Sequence, residues 1–202
     1  MQTTKKRQPK KLPKILSRED VQRILAVPNV KCITGLRARV IMHLLYRAGL
    51  RVEEVCRLRP EDCFLVDSYI YVQQSKNKVD RVIPVDAETI GWIEKWLAVR
   101  YDGDYLFSSC KGKKLDQSYV RKILYQASER SGVYIQDNDI KKRVKPHCLR
   151  HCFATESLED GANIMQVKEL LGHKDVSTTQ VYESVRPFLL RDFIQSREPL
   201  GV

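Results

Sequence analysis

The stretch Pro146–Cys152 reads PHCLRHC. On a helix His147 and Arg150, three apart, share a face, and His151, four from His147, lies on the same side. Pro146 suits a first helical turn, so the free amides of that helix start point where the side chains point, and such a terminus binds anions. Arg150 adds a planar fork of donors that matches a phosphate. The later stretch LLGHKDVSTTQVYESV puts His173 directly after Gly172, which can end a helix, and Tyr182 nine residues further on. Tyrosine is either an ordinary core residue or, where cationic donors surround a target phosphate and help its proton leave, a nucleophile. His147 and His151 with Cys148 or Cys152 could instead hold zinc, but no metalloprotease glutamate follows the first histidine and no C-x-x-C pair is present. The pattern reads as a corner that handles phosphate, with zinc disfavoured.

Bulk composition bounds the partner. The chain has 202 residues, 36 basic against 25 acidic, and a formal net charge of +11. That excess favours a polyanion, most often nucleic acid. A 43% hydrophobic content suffices for a core. No apolar run follows the basic N-terminus and no stretch approaches the roughly 20 apolar residues of a membrane span, so a cytoplasmic protein is expected, nucleoid-associated if bacterial. The six cysteines are then reduced, and most of them small core residues.

The elements that must position these groups follow from periodicity. Residues 1–14 hold six basic residues, two prolines and no acid, and form either an arm on phosphates or a solvated leader. Ser17 can cap a helix with Val21, Ile24 and Leu25 on its apolar stripe. A longer helix runs from Leu36 to Ala48, with Gly49 as its stop, and RVEEVCRL is a short helix ending near Pro60. Residues 63–66, 69–74 and 80–85 are rich in β-branched and aromatic residues and predict a small antiparallel sheet. Asp86 can cap the next helix. An amphipathic helix over LDQSYVRKILYQASERSG places Tyr119, Ile123 and Leu124 on one face. Residues 132–146 read as a loop ending in a basic run, and four short helical segments follow to about Ser196. The fold class is α+β, mainly helical, with an embedded three-stranded antiparallel sheet and one domain over 15–202.

Taken together, GLRVEEV, SKNKVDRVIPV, HCLRH and LLGHKDVSTTQVY resemble the catalytic domain of tyrosine recombinases, the phage-integrase family, in order, texture and spacing over about residues 12–190. The resemblance implies a site-specific DNA recombinase or integrase, of the kind found on mobile genetic elements. Such an enzyme cuts and rejoins double-stranded DNA through a 3′-phosphotyrosine, without cofactor. It implies Arg51 and Arg150 as the catalytic arginines, His147 as the central histidine, His173 as the histidine of the third motif and Tyr182 as the nucleophile. It places the catalytic lysine in the hairpin at Lys76, with Lys78 as the alternative. Glu54 supports the network and His151 is structural. The helix over 116–130 resembles the groove-facing helix, with Gln117, Arg121 and Lys122 toward base edges. Lys141, Lys142, Arg143 and Lys145 are candidates for phosphates. In each of these DNA-binding positions a plain solvated face is the competing reading.

Most family members carry an N-terminal helical clamp domain, and only the basic stub precedes the catalytic part here. The chain is expected to be a single-domain member or a fragment, reliant on accessory proteins or on neighbouring protomers in a synaptic tetramer. Phe188, Leu189 and Phe193 could dock on a neighbour or on the chain's own core. Two other functions share the residues. A type IB topoisomerase is disfavoured by the L-G-H box and the small size, and a decayed DNA-binding regulator by the intact set.

Overall fold

Ser17 sets the first helix. A computed structural model describes residues 16–73, 80–137, 140–172 and 194–195. In it the Ser17 Oγ accepts the Asp20 amide at 3.1 Å, and Glu19 and Asp20 occupy the positive first turn of α1 (Arg18–Ala26). Val21, Ile24 and Leu25 face inward as expected. The second helix, α2 (Ile33–Arg47), starts before the expected Leu36. Its entry is set by polar groups that periodicity does not weigh: Asn29 takes the Lys31 amide on its Oδ1 and the Cys32 amide on its carbonyl, which turns the chain into the helix. Gly49, at φ +60°, ends it, and the Leu50 amide returns to the Leu44 carbonyl.

Every α2 residue from Leu36 to Arg47 is buried. Its polar members are accommodated in different ways, Arg39 by stacking over the Trp92 ring at 5.1 Å. Arg37 donates to the Ser108 carbonyl at 2.7 Å and to the Tyr119 hydroxyl at 2.8 Å. Arg47 pairs with Asp86 at 2.7 Å. Burial pushes the His43 imidazole down to about 3, so it is uncharged at neutral pH.

After α3 (Val52–Arg57) and a 3-10 turn at Pro60–Asp62 come β1 (Cys63–Phe64), β2 (Tyr69–Val72) and β3 (Arg81–Pro84). They form the expected antiparallel sheet in the order β1-β2-β3, with Ile70 opposite both Cys63 and Ile83. Ile70, Val72 and Ile83 supply its buried face. Asp86 caps α4 (Ala87–Leu97) by accepting the Thr89 amide at 2.8 Å. The buried Trp96 of this helix donates its indole N–H to the Leu106 carbonyl. The amphipathic helix is α5 (Gln117–Ser131), capped by Asp116 and ended by Gly132 at φ +69°.

The loop expected over 132–146 is instead a hairpin, β4 (Tyr134–Asp137) and β5 (Ile140–Arg143), with Tyr134 opposite Arg143. All four β5 residues are exposed, so the alternation that betrays a strand is absent. Two buried valines, Val133 and Val144, hold the hairpin's ends. Ser128 joins them to α5 by donating to the Val133 carbonyl and accepting the Val144 amide. Ser128→Ala leaves two buried backbone groups unpaired and is expected to cost about 1–3 kcal/mol, read as a lowered midpoint in urea unfolding.

Two of the four helical segments expected next are α6 (Pro146–Glu159) and α7 (Ile164–Leu171). In α7 the caps are reciprocal: Asn163 Oδ1 accepts the Gln166 amide and Gln166 Oε1 the Asn163 amide. Helix α2 sits at the centre, with α1, α3, α4, α5 and α6 packed on it. The cysteines are less internal than composition suggested. Cys56 and Cys152 are buried, Cys63 and Cys148 half-buried, and Cys32 and Cys110 exposed, all of them free. Among the described residues no helix is long and apolar enough to cross a membrane.

Candidate active site

The turn at Gly49 delivers Arg51 to the N-cap of α3, in extended conformation. Glu54, three residues on, reaches back. Its Oε2 accepts the Arg51 amide at 2.7 Å and its Oε1 the Arg51 Nη1 at 2.8 Å. Arg81, the first residue of β3, closes the other side with a two-pronged pair, Nη1 to Oε1 and Nη2 to Oε2, both 2.9 Å. Arg150, from the first turns of α6, lies 4.0 Å from the same carboxylate. It donates to the Gly49 carbonyl and to the Leu171 carbonyl.

The three arginines meet again at the end of α7. Arg81 Nε donates to the Leu170 carbonyl at 2.9 Å, Arg150 Nη2 to Leu171 at 2.5 Å and Arg51 Nη2 to Gly172 at 2.8 Å. Three successive carbonyls at the negative end of a helix, which lack helical partners of their own, are thus each taken by a different arginine. Gly172, at φ +61°, lets the chain turn there. A Cβ at Gly172 would stand 3.0 Å from Arg81 Nη1.

Charge in this cluster is unevenly placed. Burial alone would raise the Glu54 carboxyl, but the Arg81 fork and Arg51 bring it down to about 2. Burial, then Arg51, push the Arg150 guanidinium down to about 9. Arg150 is still a cation at neutral pH, in a place where an added anion is strongly favoured.

That place opens into a cleft of about 430 Å³ lined by Arg51, by Lys145, His147 and Arg150 at the start of α6, and by Gln117 and Arg121 of α5. His147 is exposed, and its ring meets the half-buried His151 edge-to-face at 4.3 Å. Arg121 Nη2 donates to the Gln117 side-chain Oε1 at 3.1 Å, so the pair acts as one polar unit on α5. Lys122, Lys141 and Lys142 are exposed elsewhere on α5 and β5. Arg143 is already engaged, paired with Glu129 at 3.0 Å and stacked over Tyr125 at 4.5 Å. Lys76, Lys78, His173 and Tyr182 lie outside the described residues.

So Arg51, Glu54, His147 and Arg150, singled out from separate motifs, stand together. Two contributors went unnoticed. Tyr125 lines the cleft one helical turn beyond Arg121, a spacing that could have disclosed it. Arg81 falls in the strand run over residues 80–85, and no local signal distinguishes it.

The chain matches the family model described as "Phage integrase family" over residues 14–187. It is 40% identical over 183 residues to tyrosine recombinase XerA of Thermococcus onnurineus, covering 88% of this chain and 60% of that protein. The crystal structure of a XerA recombinase superposes with a TM-score of 0.70 at 30% identity, over 91% of this chain and 65% of that one. The XerH site-specific recombinase bound to its difH substrate, in a pre-cleavage complex, gives 0.68 at 25% identity, over 81% and 48%. The chain thus spans about 60% of the length of the curated relative it matches. With the model covering most of its residues and the fold shared, the chain belongs to the phage integrase family.

Proposed function

We propose that this chain is the catalytic unit of a site-specific DNA recombinase, and that residues 15–202 form its catalytic domain. The observation that carries this reading is the convergence of Arg51, Arg150 and His147 on one cleft, ordered by Glu54 and by the end of α7. Two guanidinium groups there suit the non-bridging oxygens of a phosphodiester, where charge builds in the transition state. His173, the residue after the pinned Gly172, adds a hydrogen bond. Tyr182 Oη attacks phosphorus. Its proton, held at a pKa near 10 in water, is drawn off with the help of His147. The bond to the 5′ oxygen breaks, and Lys76 (or Lys78) protonates that oxygen. The products are a 3′-phosphotyrosyl ester and a free 5′ hydroxyl, and the ester retains the energy needed for rejoining, so no nucleotide is consumed.

Double-stranded DNA is the substrate on this reading. Gln117 and Arg121 face the duplex across the cleft from the arginines, with Lys145 on a neighbouring phosphate. Lys122, Lys141 and Lys142 lie further out along it. Arg143, tied to Glu129 and Tyr125, orients β5 more than it binds. Further protomers in a synaptic tetramer and accessory proteins complete the reaction, in the cytoplasm, and at the nucleoid if the host is bacterial. The XerA and XerH relatives are recombinases by name, and neither DNA relaxation nor a decayed regulator gains support from them.

The test is a trapped covalent adduct. Purified protein is incubated, without divalent metal, with supercoiled plasmids carrying fragments of its own genome. Reactions are stopped with SDS, and the DNA-linked peptide is identified by mass spectrometry. A nucleotide on Tyr182 through a 3′ phosphate is expected. Linkage to another residue, or no linkage while the protein still shifts DNA in a gel, would overturn the proposal.

A further inference from the structure

A carboxylate behind two phosphate-binding arginines is a liability as well as an anchor. Glu54 is 8% exposed, and it lies close enough to Arg51 and Arg150 to claim the charge of either. Arg81 is the one cation of the three that gives both prongs of its guanidinium to it. It is also the one of the three that is absent from the cleft wall, which Arg51 and Arg150 share. Its remaining Nε holds the Leu170 carbonyl, so it has no donor to offer a ligand from that nitrogen.

We propose that Arg81 is a positioning residue that neutralises Glu54, so that Arg51 and Arg150 keep their charge and their donors for the scissile phosphate. The inference rests on the phosphoryl-transfer reading above. Three arginines and one glutamate leave a net charge of +2. A five-coordinate phosphorus attacked by an aryloxide approaches a charge of −2, so the cluster matches the transition state more closely than the singly charged diester. Without Arg81 the balance falls to +1, and the carboxylate draws Arg51 and Arg150 back toward itself through a low-dielectric gap. A lysine at 81 would keep the charge but meet only one carboxylate oxygen at a time.

Charge balance and mere bracing predict opposite results when the partner is also removed. Four variants separate them: Arg81→Gln, Arg81→Lys, Glu54→Gln and the double variant Glu54→Gln/Arg81→Gln. The rate of adduct formation is measured on the plasmid that the trapping experiment identifies. Gel-shift affinity and thermal unfolding are measured alongside. Arg81→Gln is expected to slow adduct formation by about a hundredfold, with Arg81→Lys in between. The double variant, again at +2, is expected to run at least about tenfold faster than Arg81→Gln alone. A double variant no faster than the single one, or Arg81→Lys as slow as Arg81→Gln, would reduce Arg81 to a structural brace and end the proposal. A second arm needs no DNA: binding of orthovanadate, followed by calorimetry, should weaken about tenfold in Arg81→Gln and return in the double variant. If vanadate follows that order while wild-type protein forms no adduct, the recombinase reading fails and Arg81's role stands. If wild-type protein forms the adduct and the order fails in both arms, Arg81's role fails and the recombinase reading stands.

Discussion

Replacing Arg150 with lysine is expected to lower the rate of DNA cleavage by about a thousandfold, with a much smaller loss of DNA affinity. The substitution retains a cation and still fails, because of what the guanidinium does at once. It donates to the Gly49 carbonyl, which fixes the turn into Arg51, and to the Leu171 carbonyl, which holds the end of α7. It also lines the cleft. A lysine ammonium has three donors on a flexible stem and cannot span two carbonyls and a phosphate in one plane. At least one carbonyl is left unpaired, at about 1–3 kcal/mol. The charge itself is also at risk. Burial and Arg51 hold even the arginine down to about 9. A lysine begins about two pKa units lower than arginine, so the same surroundings bring its loss of charge into the neutral range. Since a depressed basic group is charged below its pKa and neutral above it, residual activity of Arg150→Lys, relative to wild type at the same pH, should decline from pH 6 to pH 9. Cleavage within tenfold of wild type, or a flat ratio across that range, would remove Arg150 from the transition state. Lys31→Ala, on an exposed lysine before α2 that neither lines the cleft nor is among the DNA-facing residues, serves as the comparison and should cleave at close to the wild-type rate.

Legibility in the sequence followed the physical signal each element carries. Ser17 and Asp86 cap their helices as read, because an N-cap needs only its own side chain and an amide two or three residues on. Gly49 ends α2 as read, because positive φ there suits glycine alone. The strands of the sheet were found from β-branched and aromatic runs, although each is shorter than its run. The hairpin of β4 and β5 was missed because its second strand faces solvent throughout and shows no alternation. In the site, Arg51, Glu54, His147 and Arg150 were nameable because each sits in a motif with fixed spacing. What could not be read is how they are tied together. The bonds from Arg51, Arg81 and Arg150 to Gly172, Leu170 and Leu171 span from 21 to 121 positions and end on backbone carbonyls, which every residue has. Side-chain type says nothing about such a partner, so Arg81 looks like any surface charge until β3 and α7 are seen side by side.

Gly49→Ala is the substitution outside the charged cluster with the largest expected effect, about 2–5 kcal/mol of stability together with a severe loss of cleavage. Two costs coincide. The residue sits at φ +60°, where a Cβ is strained by about 1–2 kcal/mol. That Cβ would also stand 2.5 Å from Cδ1 and 2.8 Å from Cε1 of Phe153, a fully buried ring on α6. Both cannot be relieved by one local movement. Relaxing the backbone rotates the Gly49 carbonyl off Arg150, and yielding at Phe153 shifts α6, which carries Arg150 and His147. A single methyl group is thereby expected to loosen the contact between the two sides of the site although it touches no charged residue. Gly91→Ala gives the contrast. It lies within α4, where an added Cβ meets nothing within 4 Å, and should leave stability unchanged or raise it by about 1 kcal/mol. The two causes in Gly49→Ala separate in a second variant: Gly49→Ala/Phe153→Leu removes part of the ring but not the positive φ. Relative to Phe153→Leu alone, the added alanine should then cost only the backbone share. A cost unchanged by the smaller side chain would assign the whole effect to φ. A Gly49→Ala protein as stable and active as wild type would show that α6 is not held against this turn as described.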